Sequence, residues 1–395
     1  MKSRFRFAIA FLLLISATQL RAQNEINFDD SGYQSVLQRS KKEHKPIFYM
    51  LYASWCTHCN KMKAEVFKDT LVTHFMNKNF VCAWQDAEKG EGNEFRKKYG
   101  IKFYPTFIFI DENGNELYNI SGEFKATDFI NEAKNALTPE KQLPYLAQQF
   151  MSDKSNPDKC LAYLTGLNKG RDRSLLSPIA HQYLATQNES QLLSAINWKI
   201  IANGVTDIQS REFQFVLQHQ KEYEALTSHR RVQRKITNIV TELLDPALEN
   251  KDTIGYNKRR NIAKLVVSQK NDSLVFSYDI ALAEKMNNWK KYATLTMANV
   301  DKYVMNDAKV LQTISSNYLK NIADIASLKY AIQWMQHAVI LSESYDNEIL
   351  LAKLYQKTKD NKEAISWAQK AKNKNSGYGL GTKEADSLLL ELGRK

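Results

Sequence analysis

The chain is short of the residues that staple or punctuate a fold. Four cysteines in 395 residues exclude a disulfide-stapled small scaffold. Fourteen glycines and seven prolines exclude a collagenous or low-complexity chain. The apolar run from Phe7 to Ile15 falls short of the roughly 20 residues a membrane span needs, and no other segment comes as close. What is present instead is a basic surplus, 55 Lys and Arg against 43 Asp and Glu, for a formal charge of +12. At roughly 100–200 residues per domain, this length implies two or three domains.

The charge divides the chain into three. Residues 1–22 carry four bases and no acid. Residues 23–138 are near neutral, with 15 bases and 16 acids, and residues 139–395 hold 36 bases against 27 acids. In the first segment Lys2, Arg4 and Arg6 precede the apolar run, and small residues follow up to Ala22. That is the order of a secretory signal peptide, so residues 1–22 are expected to be cleaved. The mature chain is then expected to be periplasmic or otherwise extracytoplasmic, without a transmembrane segment. An uncleaved anchor is the alternative. No cysteine closely follows the run, which argues against a lipid anchor there.

The second segment carries chemistry. Residues 28–45 suggest a helix with Tyr33, Val36 and Leu37 on one face, stopped by Pro46. Ile47–Ala53 is a continuous apolar run of buried-strand length. Trp55-Cys56-Thr57-His58-Cys59 then opens a helical pattern with Met62, Val66 and Phe67 on its apolar side. Phe80–Trp84 suggests a strand, 91–99 a short helix, Phe107–Ile110 and Glu116–Ile120 a hairpin about Asp111-Glu112-Asn113-Gly114, and 127–137 a closing helix capped by Thr127. A helix start offers free N–H groups and a partial positive charge, both of which favour a thiolate. Cys56 is therefore expected to be the exposed nucleophile, and Cys59, one turn inside, the resolving thiol. His58 between them would add positive charge when protonated, or is an ordinary loop histidine. Half a zinc site is the competing reading of the pair, but no second close Cys/His pair completes four ligands.

Strand, Cys-x-x-Cys helix and Tyr104-Pro105-Thr106 before a hairpin together resemble the thioredoxin superfamily, over residues 28–138. Cys-Thr-His-Cys and Tyr-Pro-Thr are more similar to protein disulfide isomerase domains than to reducing thioredoxin. The resemblance implies an α/β thioredoxin fold and thiol–disulfide exchange with protein clients and a redox partner protein, without a cofactor or metal. It implies that Pro105 is cis and packs on the disulfide, and that Trp55, Thr57, Tyr104, Thr106 and Gly122 contact substrate. Two positions depart from the family. The buried acid six residues before the first cysteine is Met50 here, and its lysine partner on the neighbouring strand falls, by counting, at Cys82. Cys59 would then lose its proton to water or to a group such as Glu65. Cys82 and Cys160 suit core positions. A third redox thiol, or a Cys82–Cys160 bridge, is the alternative.

Beyond Pro139 and Pro144 the pattern turns helical, giving an all-α domain over residues 139–395. Ser190 and Thr206 suggest helix starts, and Leu243-Leu244-Asp245-Pro246 a break or kink. Ala331–Ala338 is echoed by Ala364–Ala371 at an offset of 33, and residues 310–373 resemble tetratricopeptide repeats. The whole arrangement resembles exported thioredoxin-like proteins of Bacteroidota that carry a helical extension. Trp198, Trp289, Trp334 and Trp367 are expected in the core. The basic runs 229–235 and 258–260 suit solvated helix faces, and nothing resembles a nucleic-acid motif. The leading expectation is an exported thiol–disulfide oxidoreductase whose helical part recruits clients. The alternative is a protein-binding scaffold whose thioredoxin fold only docks.

Overall fold

The computed structural model describes residues 25–170 and 174–393. The expected signal peptide lies outside the described residues. Among those residues, no helix is long and apolar enough to cross a membrane.

The expected class, an α/β layer structure followed in sequence by helices, is what the chain forms. Strands β1 (Phe28–Asp29), β2 (Ile47–Tyr52), β3 (Val81–Asp86), β4 (Thr106–Ile110) and β5 (Glu116–Ser121) make one mixed sheet in the order β1-β3-β2-β4-β5. β3 is parallel to β1 and β2, while β4 is antiparallel to both of its neighbours, β2 and β5. β2 is apolar throughout because it is central and covered on both faces. Phe48 and Met50 join one layer of core, and Ile47, Tyr49 and Leu51 the other.

Five helices flank the sheet: α1 (Tyr33–Glu43), α2 (Thr57–Ala64), α3 (Thr70–Asn79), α4 (Gly90–Lys98) and α5 (Ala126–Ala136). Three expectations need correction. Residues 28–29 are an edge strand rather than helix, fixed by pairing Phe28 with Cys82. The pattern running through Met62, Val66 and Phe67 is not one helix. It passes into a 3-10 turn at Val66–Lys68, and Asp69 caps α3 by accepting the Leu71 and Val72 amides. Thr127 is not the cap of α5, which begins at Ala126 after Lys125.

The compact unit that contains the sheet runs to Ser228. It takes in α6 (Leu143–Ser152), α7 (Pro157–Lys169), α8 (Leu176–Leu184), α9 (Glu189–Leu192), α10 (Ala195–Gly204), α11 (Arg211–Gln218) and α12 (Gln220–Leu226). Helices α6 and α7 pack against β5, the strand that would otherwise be an open edge. Gly170 accepts a hydrogen bond from the Ser121 hydroxyl at 3.1 Å, and Lys169 pairs with Glu132 on α5 at 2.8 Å. Gly166 lets α7 approach α6 closely, since a Cβ there would lie 2.9 Å from the Leu146 side chain. The helix starts expected at Ser190 and Thr206 fall instead to the caps Asn188, Ser194 and Ser210.

The second unit, from His229, is helical. Its first helix, α13 (His229–Glu249), runs through Pro246, so the expected break is absent. Pro246 lies in the last turn and gives up the helical bond its N–H would have made. The unit continues through α14 (Thr253–Ala263), α15 (Gln269–Lys285), α16 (Trp289–Tyr303), α17 (Ala308–Asn321), α18 (Ile325–Leu341), α19 (Tyr345–Lys357), α20 (Asn361–Gly377) and α21 (Lys383–Gly393). The echoed stretches lie on α18 and α20, with Ala331, Ala338, Ala364 and Ala371 all buried.

Glu348 in the first turn of α19 is fully buried, and Lys370 reaches one of its oxygens at 3.3 Å. Desolvation outweighs that lysine and raises the Glu348 pKa. The folded chain therefore holds this proton to higher pH than the unfolded chain does. Stability contributed by the neutral form is present at low pH and lost as pH rises from the ordinary carboxylate range through the raised value. Glu348→Gln should therefore stabilise the chain at neutral pH by about 1 kcal/mol and flatten that loss. Urea denaturation across pH 4–8 checks it, and equal stability of both chains throughout would contradict it.

Candidate functional site

The site forms where β2 ends. Cys56 caps α2 in extended conformation, and its Sγ accepts the Cys59 amide at 3.1 Å. Its own N–H donates to Ala53 O at 3.1 Å, which tightens the turn out of β2. Cys56 and Cys59 form a disulfide, their Cα atoms 5.3 Å apart. The sequence led us to expect an exposed Cys56. In the disulfide form it keeps only 4 % exposure, and Cys59 keeps none. Both sulfurs belong to the core layer that also holds Met50, Phe107 and Met62.

The Tyr104–Pro105 peptide bond is cis. Thr106 pairs with Leu51, which brings this loop beside the end of β2. Pro105 O accepts the Gly122 amide at 2.9 Å. Gly122 has φ +112°, a conformation that side chains disfavour, so glycine is required where β5 turns away. The Tyr104 ring meets the Trp55 indole edge-on at 6.1 Å. Trp55 is 68 % exposed, and its indole N–H donates to Glu88 at 2.9 Å. Phe103 is also exposed, so this loop and Trp55 present an apolar rim. Thr57 and His58 face solvent on the first turn of α2. Thr106 does not. Its side chain is buried, 2.8 Å from the Ser121 hydroxyl and 2.8 Å from Phe103 O, so any contact it offers a peptide comes from its backbone.

Glu123, which gave no signal in the sequence, stands beside the pair. It accepts a hydrogen bond from His58 Nδ1 at 2.8 Å and pairs with Lys61. The His58 and Lys61 contacts hold its carboxyl below the usual range. This carboxylate anchors the loop after β5 to the first turn of α2.

Met50 lies opposite Trp84, and Cys82 lies opposite Phe48. Both positions of the family's proton-transfer pair are therefore uncharged. Glu65 ends α2 on an exposed face. The charged group that turns inward is Lys63, a residue the sequence did not single out. Its Nζ lies 3.1 Å from the centre of the Tyr52 ring and 4.6 Å from that of Trp84. Desolvation lowers its pKa to about 8, against the opposing pull of Asp86. It borders a cavity of about 330 Å³ walled by Phe28, Asn60, Phe67 and Trp84. Cys82 and Cys160 are buried free thiols, so the expected core role fits and no bridge joins them. Burial pushes both thiols up, Cys160 to about 12.

The family model for the thioredoxin-like domain matches residues 33–137. Residues 33–137 are a thioredoxin-like domain. Within this domain the chain is similar to the thiol:disulfide interchange protein DsbD of Yersinia pestis, at 29 % identity over 123 residues. That alignment covers 30 % of this chain and 21 % of DsbD. It is also similar to the disulfide bond reductase DsbH of Chlamydia pneumoniae, at 24 % identity over 130 residues, covering 30 % of this chain and 78 % of DsbH. Among solved structures, the C-terminal domain of Neisseria meningitidis DsbD in its oxidised form is 24 % identical, with a TM-score of 0.25. That match covers 28 % of this chain and 98 % of the DsbD domain. The family match thus takes in β2 to β5, α1 to α5 and the disulfide, and the helices from α6 onward lie outside it.

Proposed function

We propose that the protein is a thiol–disulfide oxidoreductase acting on protein clients through the Cys56–Cys59 pair. The observation that carries this reading is Cys56 at the cap of α2, with its sulfur already accepting the Cys59 amide at 3.1 Å. The same amide and the helix start would favour Cys56 as a thiolate once the pair is reduced. That thiolate attacks a client disulfide. One client sulfur leaves as a thiol and the other stays bound to Cys56. Cys59 then attacks Cys56 Sγ, the Cys56–Cys59 bond forms, and the client departs reduced. In the opposite direction a client thiolate attacks Cys56 Sγ, Cys59 leaves, and the client is oxidised. The apolar rim of Trp55, Phe103 and Tyr104 suits an extended client segment, with His58, Thr57, Pro105, Thr106 and Gly122 completing the surroundings of the disulfide. The names of the relatives, an interchange protein and a reductase, support exchange chemistry without choosing a direction. An extracytoplasmic compartment, where such a pair can be reoxidised, agrees with the signal-like N-terminal sequence.

We further assign client or partner recruitment to the helices beyond the thioredoxin-like domain, where α17 to α20 would form tetratricopeptide-like pairs. The second reading, a scaffold in which the redox pair is dispensable, draws on the large share of the chain that lies in those helices. One experiment separates the two. Cys59→Ala should trap clients as mixed disulfides on Cys56, identified by mass spectrometry of species released by reductant. Absence of any trapped species, with partner binding intact, would favour the scaffold.

A further inference from the structure

Lys63 is a charged group beside the redox pair to which the exchange chemistry assigns no task. It lies four residues after Cys59 on α2, and residues so spaced are neighbours on one helix face. The rings beneath its ammonium are Tyr52, two residues after Met50 on β2, and Trp84, opposite Met50 on β3. Cys59, Met50, Tyr52 and Trp84 pack in one cluster. The sheet itself thus offers no charge at the level of Met50, and α2 brings one to the same cluster from above.

We propose that Lys63 is a positioning residue for the redox pair, its ammonium favouring the Cys59 sulfur as a thiolate. This rests on the exchange reading above. When a client thiolate attacks Cys56 Sγ, the Cys56–Cys59 bond breaks and its electron pair leaves on Cys59. When the mixed disulfide resolves, the Cys59 thiolate attacks Cys56 Sγ and the client sulfur takes the electron pair away. Both directions pass through a negative Cys59, and a nearby cation stabilises it. The same ammonium favours the thiolate form of the reduced pair at equilibrium, which makes the disulfide more oxidising. The charged and titratable groups around Lys63 are Asp86 at the end of β3, Glu25 before β1, Lys68 in the 3-10 turn and Tyr52 on β2. Because desolvation brings Lys63 to about 8, its charge and its effect fade as pH rises through that value.

The test uses the full chain equilibrated in glutathione buffers, for wild type, Lys63→Met and Lys63→Arg. At pH 7, Lys63→Met should form the Cys56–Cys59 disulfide with an equilibrium constant about tenfold larger, while Lys63→Arg stays near wild type. At pH 9 the wild type should approach Lys63→Met, and Lys63→Arg, still charged, should remain more oxidising than both. Equal constants for wild type and Lys63→Met at pH 7, or a Lys63→Arg chain that behaves as Lys63→Met, overturn the proposal. If Lys63→Met does not fold, equality of wild type and Lys63→Arg at pH 9 overturns it. Insulin reduction by the same samples keeps the parent reading separate. Full activity in a Cys56→Ser control would sink that reading, whatever the Lys63 constants show.

Discussion

Cys56→Ser should lower the rate of insulin reduction or of client reoxidation by roughly a thousandfold or more. A serine hydroxyl at the cap of α2 still accepts the Cys59 amide, so the fold should survive. What is lost is the sulfur whose bond is exchanged. Cys59→Ala should behave differently. It leaves the first attack intact and removes only resolution, so mixed disulfides accumulate while net turnover falls. The contrast between the variants is the sharper measurement, because a nonspecific loss of structure would lower both without accumulation. Full activity in Cys56→Ser would remove the pair from the chemistry altogether.

A chain ending at Thr138 should be less stable than one ending at Ser228 by about 3 kcal/mol, and more prone to aggregate. The family match and the sequence boundary both end near residue 138, yet the compact unit continues. Truncation strips α6 and α7 from the outer edge of β5. It removes the Ser121 bond to Gly170 and the Lys169–Glu132 pair, and it exposes backbone groups along the strand. Denaturant midpoints of the two fragments, followed by far-ultraviolet dichroism, measure the difference. Identical midpoints would mean that α6 and α7 merely rest on a self-sufficient sheet.

Much of this fold is legible in the sequence, and what is illegible has physical reasons. Ile47–Tyr52 declares itself because a doubly covered strand must be apolar at every position. Cys56, Cys59 and Pro105 stand out because their chemistry fixes their spacing. The edge strand at Phe28 is hidden, since two residues carry no periodicity and only pairing with β3 defines them. The junction between α2 and α3 is hidden because Val66 and Phe67 continue the helical apolar pattern across the 3-10 turn, while the true signal is the cap at Asp69. Lys63 and Glu123 are invisible for a related reason. A lysine among helical residues and a glutamate after a glycine look like ordinary surface, and only tertiary packing turns one onto aromatic rings and the other onto His58.

The two buried thiols carry a consequence of their own. Cys82 and Cys160 are sealed in apolar surroundings that hold them protonated. A thiol in that state neither attacks a disulfide nor competes for the sulfur of Cys56. Of the four cysteines, then, two form the disulfide and two stay sealed as free thiols. Under the exchange proposed above, the pair would carry two electrons per cycle, and a client held in a mixed disulfide would have a single internal exit, through Cys59.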